Sequence, residues 1–306
     1  MTETTFADLP NEILISILSN FRSLDLLSIL LTSHRMHSLI LRILHHRLLE
    51  TAQLTQHRLI LEVFHPSTKL STPYLFCDFL GTYGLSVPPD TNPTTNPPPN
   101  KDEHPDPADV HGELVGLSEL RGLYSHFRPL KPASDRTLTR THPAGGSVDI
   151  TNGLVDRHGE FVCQNIHLES HELFSQLQTI TSLVKVGPRR GLFLSSVNIS
   201  DDILRIWRPW LAARAGCSAG EAQREGRDGL LWVGTQKNVG LRVGVVERDE
   251  TTPVLVGTDE DAPVSYTLQY EELVIRATQL LLMVERSIEQ EVSHSGKAIV
   301  IGSWDQ

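Results

Sequence analysis

Residues 6–52 read FADLPNEILISILSNFRSLDLLSILLTSHRMHSLILRILHHRLLETA, and the spacing of the apolar positions in this stretch decides the fold of the N-terminal part. Three short helical patterns follow one another with almost no linker. The first is expected to start at Pro10, which suits a first helical position because its missing N–H would have been unpaired there anyway. Glu12 in the first turn complements the positive end of the helix dipole. Ile13, Leu14, Ile17, Leu18 and Phe21 follow at helical spacing and read as one continuous stripe. Ser23 is placed to cap a second helix, with Asp25 in its first turn and Leu26, Leu27, Leu30 and Leu31 as its apolar face. Ser33 is placed to cap a third, whose stripe runs through Met36, Ile40, Leu44 and Leu48. Each pattern carries more large aliphatic surface than a helix of this size hides against its neighbours, so part of it is expected to belong to another protein. The alternative is an ordinary three-helix core in which every leucine is buried internally.

Leu9-Pro10-x-Glu12-Ile13, then Ile17-Leu18, Phe21, Asp25-Leu26-Leu27 and the closing Ser33-His34-Arg35-Met36 resemble the F-box, a helical module that docks on a Skp-type adaptor. The resemblance implies a substrate receptor of a cullin-based SCF ubiquitin ligase, in which residues 5–52 hold the adaptor and residues 53–302 hold a target protein. It also implies the adaptor-binding residues: Leu9, Pro10, Glu12, Ile13, Ile17, Leu18, Phe21, Leu26, Leu27 and Met36. Met36 departs from the pattern, because the family usually closes with an aromatic residue, often Trp; the flexible Met is expected to pack less firmly there. The layout, an N-terminal module followed by a mixed domain, is similar to that of fungal F-box proteins.

The whole chain has 306 residues, 27 Lys and Arg against 37 Asp and Glu, and a formal charge of −10. That balance argues against a nucleic-acid partner, since phosphate binding needs a concentrated basic patch. Cys77, Cys163 and Cys217 are far apart and form no CxxC pair, which predicts neither a disulfide framework nor a thiolate zinc site and suits a reducing compartment. The first residues lack the basic and apolar regions of a signal peptide, and the densest apolar run, Leu39–Leu49, is broken by Arg42, His45, His46 and Arg47. Cytoplasm or nucleus, without a membrane partner, is the expectation. His34 with His37 and His45 with His46 are the nearest histidine pairs; neither has a Cys or carboxylate at ligand spacing, so no metal is expected. The sequence contains no nucleophile elbow, phosphate loop, HExxH or dinucleotide fingerprint, and the expectation is a non-catalytic chain without a cofactor.

After the helices the pattern becomes mixed. Leu59–Phe64 and Tyr74–Phe79 read as strands, so that the second domain starts near Gln53, directly on the third helix. Residues 86–110 are Pro, Thr, Asn and acid, a composition expected to stay disordered. Leu114, Leu117, Leu120, Tyr124 and Phe127 suggest a short helix, and 131–159 a flexible loop. Strands are predicted at Glu160–Leu168 and Gly191–Ile199, with a helix between them capped by Ser170 and carrying Leu173, Phe174, Leu177, Thr181 and Val184. Asp201–Arg214 is ambiguous because Pro209 interrupts it, which leaves a helix with a kink or a late start. Leu230–Gly234 and Val239–Glu247 form a predicted hairpin, Pro253–Val256 a short strand, Val264–Arg276 a half-buried strand, Ala277–Val292 an amphipathic helix and Ala298–Ile301 a closing strand. The fold class is therefore α+β: an N-terminal three-helix module followed by a mixed, mainly antiparallel domain with disordered insertions.

Two arginines in a Gly- and Pro-bounded turn, Arg189 and Arg190, have a geometry that can grip a carboxylate or phosphate of a target, and Lys237 with Arg242 at the predicted hairpin are further target-binding candidates, on the same surface or an unrelated one. Solvated surface arginines explain the same residues without a ligand. The competing reading of the whole is an enzyme or small-ligand-binding domain with a helical oligomerisation arm.

Overall fold

A computed structural model describes residues 9–66, 74–84, 117–131, 161–187, 192–216, 229–248, 262–293 and 299–300. The insertion expected at 86–110, nearly all of the loop expected at 131–159, the strand at Pro253–Val256, and Arg189 and Arg190 lie outside the described residues. Three helices come first: α1 (Asn11–Leu18), α2 (Ser23–Ile29) and α3 (His34–Ala52). After five intervening residues the chain enters β1 (Arg58–Phe64). There follow β2 (Leu75–Gly84), α4 (Leu117–Arg121), β3 (Leu123–Pro129), β4 (Val162–Leu168), β5 (Phe174–Val186), β6 (Leu192–Trp207), α5 (Arg208–Ala215), β7 (Leu230–Val233), β8 (Val239–Arg248), β9 (Val264–Arg276), α6 (Ala277–Ser293) and β10 (Ile299–Val300). The class is α+β, with helices segregated from one antiparallel sheet.

The strands run in the order β10-β6-β5-β1-β2-β3-β9-β8-β7, every pair antiparallel. Because β8 pairs with β9 from Ser265 to Ile275, β3 and β4 share the opposite edge: β3 takes Leu273–Arg276 and β4 takes Val264–Tyr270. The sheet curls until Gly234, at the end of β7, stands against the carboxylate of Asp202 in β6. Gly234 has φ +76°, and a Cβ there would lie 2.8 Å from that carboxylate, so a side chain is excluded twice over. Inside the curl lies one core, to which Leu61, Phe127, Leu177, Leu204, Leu241 and Leu268 each bring a different strand.

Two expectations are corrected. Leu173–Val184 is not a helix. β5 places Ser175, Leu177, Thr179, Thr181 and Leu183 inward at strand spacing, and its β-branched Thr, Ile and Val residues pair with β1 on one side and β6 on the other. The helix expected from Leu114 is a single turn ending at Gly122; Tyr124 and Phe127 belong to β3. At Asp201 the strand simply continues, and the helix starts late, at Arg208, with Pro209 in its first turn.

α6 joins the two halves. Leu280 enters the core of the sheet, while Ala277 and Leu281 enter the core formed by Leu14, Leu18, Leu26, Ile40 and Leu44 of the helical module. Burying each such aliphatic side chain contributes about 1.5–3 kcal/mol. The helices and the sheet are thus packed through a shared element, and the short connection from Ala52 to Arg58 adds little slack.

Candidate adaptor-docking surface

Each of the first two helices carries two apolar stripes. In α1, Leu14 and Leu18 face inward, whereas Ile13 and Ile17 remain 48% and 39% exposed. Neighbouring residues on a helix are about 100° apart, so the pairs at 13/14 and 17/18 divide between two faces. In α2 and the two residues after it, Leu26 and Leu30 are buried, while Leu24, Leu27 and Leu31 are 60%, 42% and 86% exposed. Phe21, between the helices, is exposed as well. The outward set is therefore Ile13, Ile17, Phe21, Leu24, Leu27 and Leu31.

Of the residues expected to dock an adaptor, Ile13, Ile17, Phe21 and Leu27 present apolar surface, Pro10 and Glu12 are exposed beside them, and Leu9 is partly buried. Leu18, Leu26 and Met36, also expected to dock the adaptor, are instead buried in the module's own core. Leu24 is the residue the pattern missed; its spacing of three from Leu27 and seven from Leu31 was the available signal.

The ends of these helices are fixed by polar contacts. Pro10 stands just before α1 and its carbonyl accepts the N–H of Leu14 at 3.1 Å, one position earlier than expected. Arg35 ties the entry down by donating to Asn11 Oδ1 at 2.9 Å and to the carbonyl of Leu9. Ser33 caps α3 as expected, accepting the N–H of Met36 at 3.2 Å. Ser23 does not cap α2. It is the first helical residue, and its N–H and hydroxyl both go to the carboxylate of Glu285 in α6.

The charged residues expected to hold a target behave differently. Lys237 sits in the β7–β8 turn at φ +53°, and its carbonyl accepts the Tyr124 hydroxyl at 3.2 Å. Arg242 donates to Glu272 Oε2 at 2.8 Å, and Glu272 also accepts from His126 Nδ1 at 2.8 Å and from the Tyr83 hydroxyl at 3.3 Å. The Tyr83 ring stacks on His126 with centroids 3.8 Å apart. A bulge at Arg242/Val243 leaves Glu271 as an extra residue in β9 and turns Glu272 to the face opposite the core. Burial by itself would raise the Glu272 pKa, but the hydrogen bonds and charges of His126 and Arg242 hold it below the ordinary carboxylate value. Arg242 is thus engaged within the fold, in a buried polar cluster.

A cleft of about 680 Å³ opens at the end of the sheet remote from α3. β1 starts beside α3 at Arg58 and ends at Phe64, and His65 lines the cleft together with Gln164, His167, Phe174 and Gln176. Arg208 holds the β4–β5 turn by donating to the carbonyls of Glu169 and Ser170, and ties it to the residues before β9 by donating to the carbonyl of Ala262. Among the described residues no group of three or more His, Cys, Asp or Glu side chains could hold a metal ion.

The geometry defines a helical module with an outward apolar face, packed through α6 against an antiparallel domain. The family model described as F-box-like matches residues 6–51, so the chain carries an F-box-like domain. Such domains generally bind Skp-type adaptors and are typically non-catalytic, and the presence of one supports a role in substrate recognition by SCF-type ubiquitin ligases. Comparison with curated proteins and with solved structures gives no match.

Proposed function

We propose that this chain is a substrate receptor: it docks a Skp-type adaptor through α1 and α2, and through the adaptor a cullin, while the sheet domain holds a target protein. The observation that carries the reading is the outward apolar set Ile13, Ile17, Phe21, Leu24, Leu27 and Leu31 on the very segment that the F-box-like model matches. Exposed aliphatic and aromatic anchors of this kind supply most of the energy of a docking interface. Catalysis by the complex then needs proximity from this chain rather than chemistry, since holding a target beside the ligase raises the effective concentration of its lysines. The remote cleft around Phe174 and Gln176 is the favoured target site, because it leaves the docking face clear.

The test is titration of the purified chain with a Skp-type adaptor. Ile13→Asp combined with Leu27→Asp is expected to weaken binding on the order of a hundredfold, because two anchors are replaced by charges that must be desolvated. Wild-type chain that shows no adaptor binding overturns the proposal.

A further inference from the structure

We infer that the adaptor face is completed from the other end of the chain: Glu285 in α6 is a positioning residue for α2 and for the turn between α1 and α2. The inference rests on the reading of that face as an adaptor-docking surface and deepens it.

α2 is seven residues long, and Arg22, at its N-cap, makes no side-chain capping bond. A helix this short does not hold itself, because nucleation costs more than so few intrahelical bonds return. The missing acceptor comes from 262 residues away. Glu285 Oε1 accepts the Ser23 hydroxyl at 2.6 Å and the Ser23 N–H at 3.1 Å, and Oε2 lies 3.2 Å from the same N–H. Glu285 Oε1 also meets Arg47 Nη1 of α3 at 3.3 Å. Arg47 spends its other nitrogen, Nη2, on the carbonyls of Ser19 and Phe21, both at 2.8 Å.

One carboxylate and one guanidinium therefore bind both sides of the α1–α2 turn. Phe21 belongs to the outward set and is held by its own carbonyl; Leu24, Leu27 and Leu31 follow Ser23 within three turns. The pair is mostly buried, at 17% and 23% side-chain exposure, so water competes weakly for these charge-assisted bonds. Ala277 and Leu281 back the same region from the apolar side, inside the core that contains Leu26 and Leu30. A second ion pair, Arg22 to Glu289 at 2.9 Å, lies in the open and is expected to matter little. The sheet domain thus supplies a part of the docking module. Any event that shifts α6 also shifts the presentation of α2, which links the two ends of the receptor.

The experiment measures adaptor affinity with the full-length chain carrying Glu285→Ala, Glu285→Gln or, as an exposed control, Glu289→Ala. Loss of the carboxylate is expected to weaken binding about tenfold, in line with a hydrogen bond to a charged group, with Glu285→Gln intermediate and Glu289→Ala near wild type. Combining Glu285→Ala with Leu27→Ala separates positioning from general destabilisation. If Glu285 acts through α2, Leu27→Ala costs less in that background than in wild type, whereas a merely structural role leaves the two effects additive. Should the alanine variant fold poorly, the same cycle is run with Glu285→Gln. Hydrogen exchange must also rise in residues 19–31 while β5 and β9 stay protected. Wild-type affinity in both Glu285 variants, or additive effects with Leu27→Ala, overturns this inference and leaves adaptor docking standing. A wild-type chain that does not bind the adaptor removes both.

Discussion

The helical module and the sheet domain dispose of their side chains in opposite ways. α1 and α2 turn Ile13, Ile17, Leu24 and Leu27 outward, with Leu31 just after them 86% exposed, and keep Leu14, Leu18 and Leu26 for a small core. The sheet turns most of its aliphatics inward, although Leu80, Val186, Ile203 and Val246 stay exposed, and places a charged cluster, Glu272 with Arg242 and His126, on the face opposite the core, with Tyr83 stacked on His126. Apolar surface left in water is costly and needs a partner to relieve it, whereas a satisfied polar cluster is complete within the fold. On the proposed reading, the outward aliphatics serve binding and the polar cluster serves architecture.

The largest effect expected from this contrast is in the sheet. Glu272→Ala removes the carboxylate that the buried His126 and the partly buried Arg242 share and is expected to cost about 3–5 kcal/mol of stability, as for other broken buried pairs. Denaturant unfolding checks it. Because the folded pKa of Glu272 is depressed, its contribution is present above the ordinary value of 4.5 and is lost as pH falls through the lower folded value. Glu272→Gln should flatten that acid limb, and an unchanged limb would show that the cluster is not the source.

Next in size is the contrast between two adjacent leucines. Leu26→Ala empties a buried position and is expected to cost about 2–4 kcal/mol of stability. Leu27→Ala, one residue on and 42% exposed, is expected to change stability by about 0.5 kcal/mol or less while weakening adaptor binding. Equal stability losses at both positions would erase the distinction between inward and outward stripes.

How much of this was legible in the sequence follows from the same contrast. Val264–Arg276 and the Leu230–Arg248 hairpin could be read because their inward residues are apolar and their outward residues polar. β5 could not, since its buried face includes Ser175, Thr179 and Thr181 and its partly exposed face includes Phe174 and Ile180, which blurs the alternation. In the helices the apolar spacing was visible, but Ile13 with Leu14 and Ile17 with Leu18 were merged into one stripe, whereas the fold divides each pair between an outward and an inward face. Arg242 looked like a free cation because its partner Glu272 is thirty residues away, and Ser23 looked like a cap because Glu285 is further still. Contacts between distant segments leave no local periodicity to read.

The smallest expected effect lies where the two regions meet. His57, in the connection between α3 and β1, is buried with Nε2 3.0 Å from the Ser287 hydroxyl of α6, which in turn lies 2.6 Å from that of Ser195 in β6. Burial pushes the His57 pKa below its ordinary 6.5, the Lys185 charge adds to this and Glu291 opposes it. The unfolded chain then binds the proton more readily than the folded one. Stability contributed here is fully present above pH 6.5 and is lost as pH falls through the folded value. His57→Asn keeps a polar side chain without the titration, so its melting temperature is expected to fall less than that of wild type between pH 7.5 and 5.5. Parallel falls would show that the junction does not sense the proton and that the mild-acid dependence arises elsewhere in the fold.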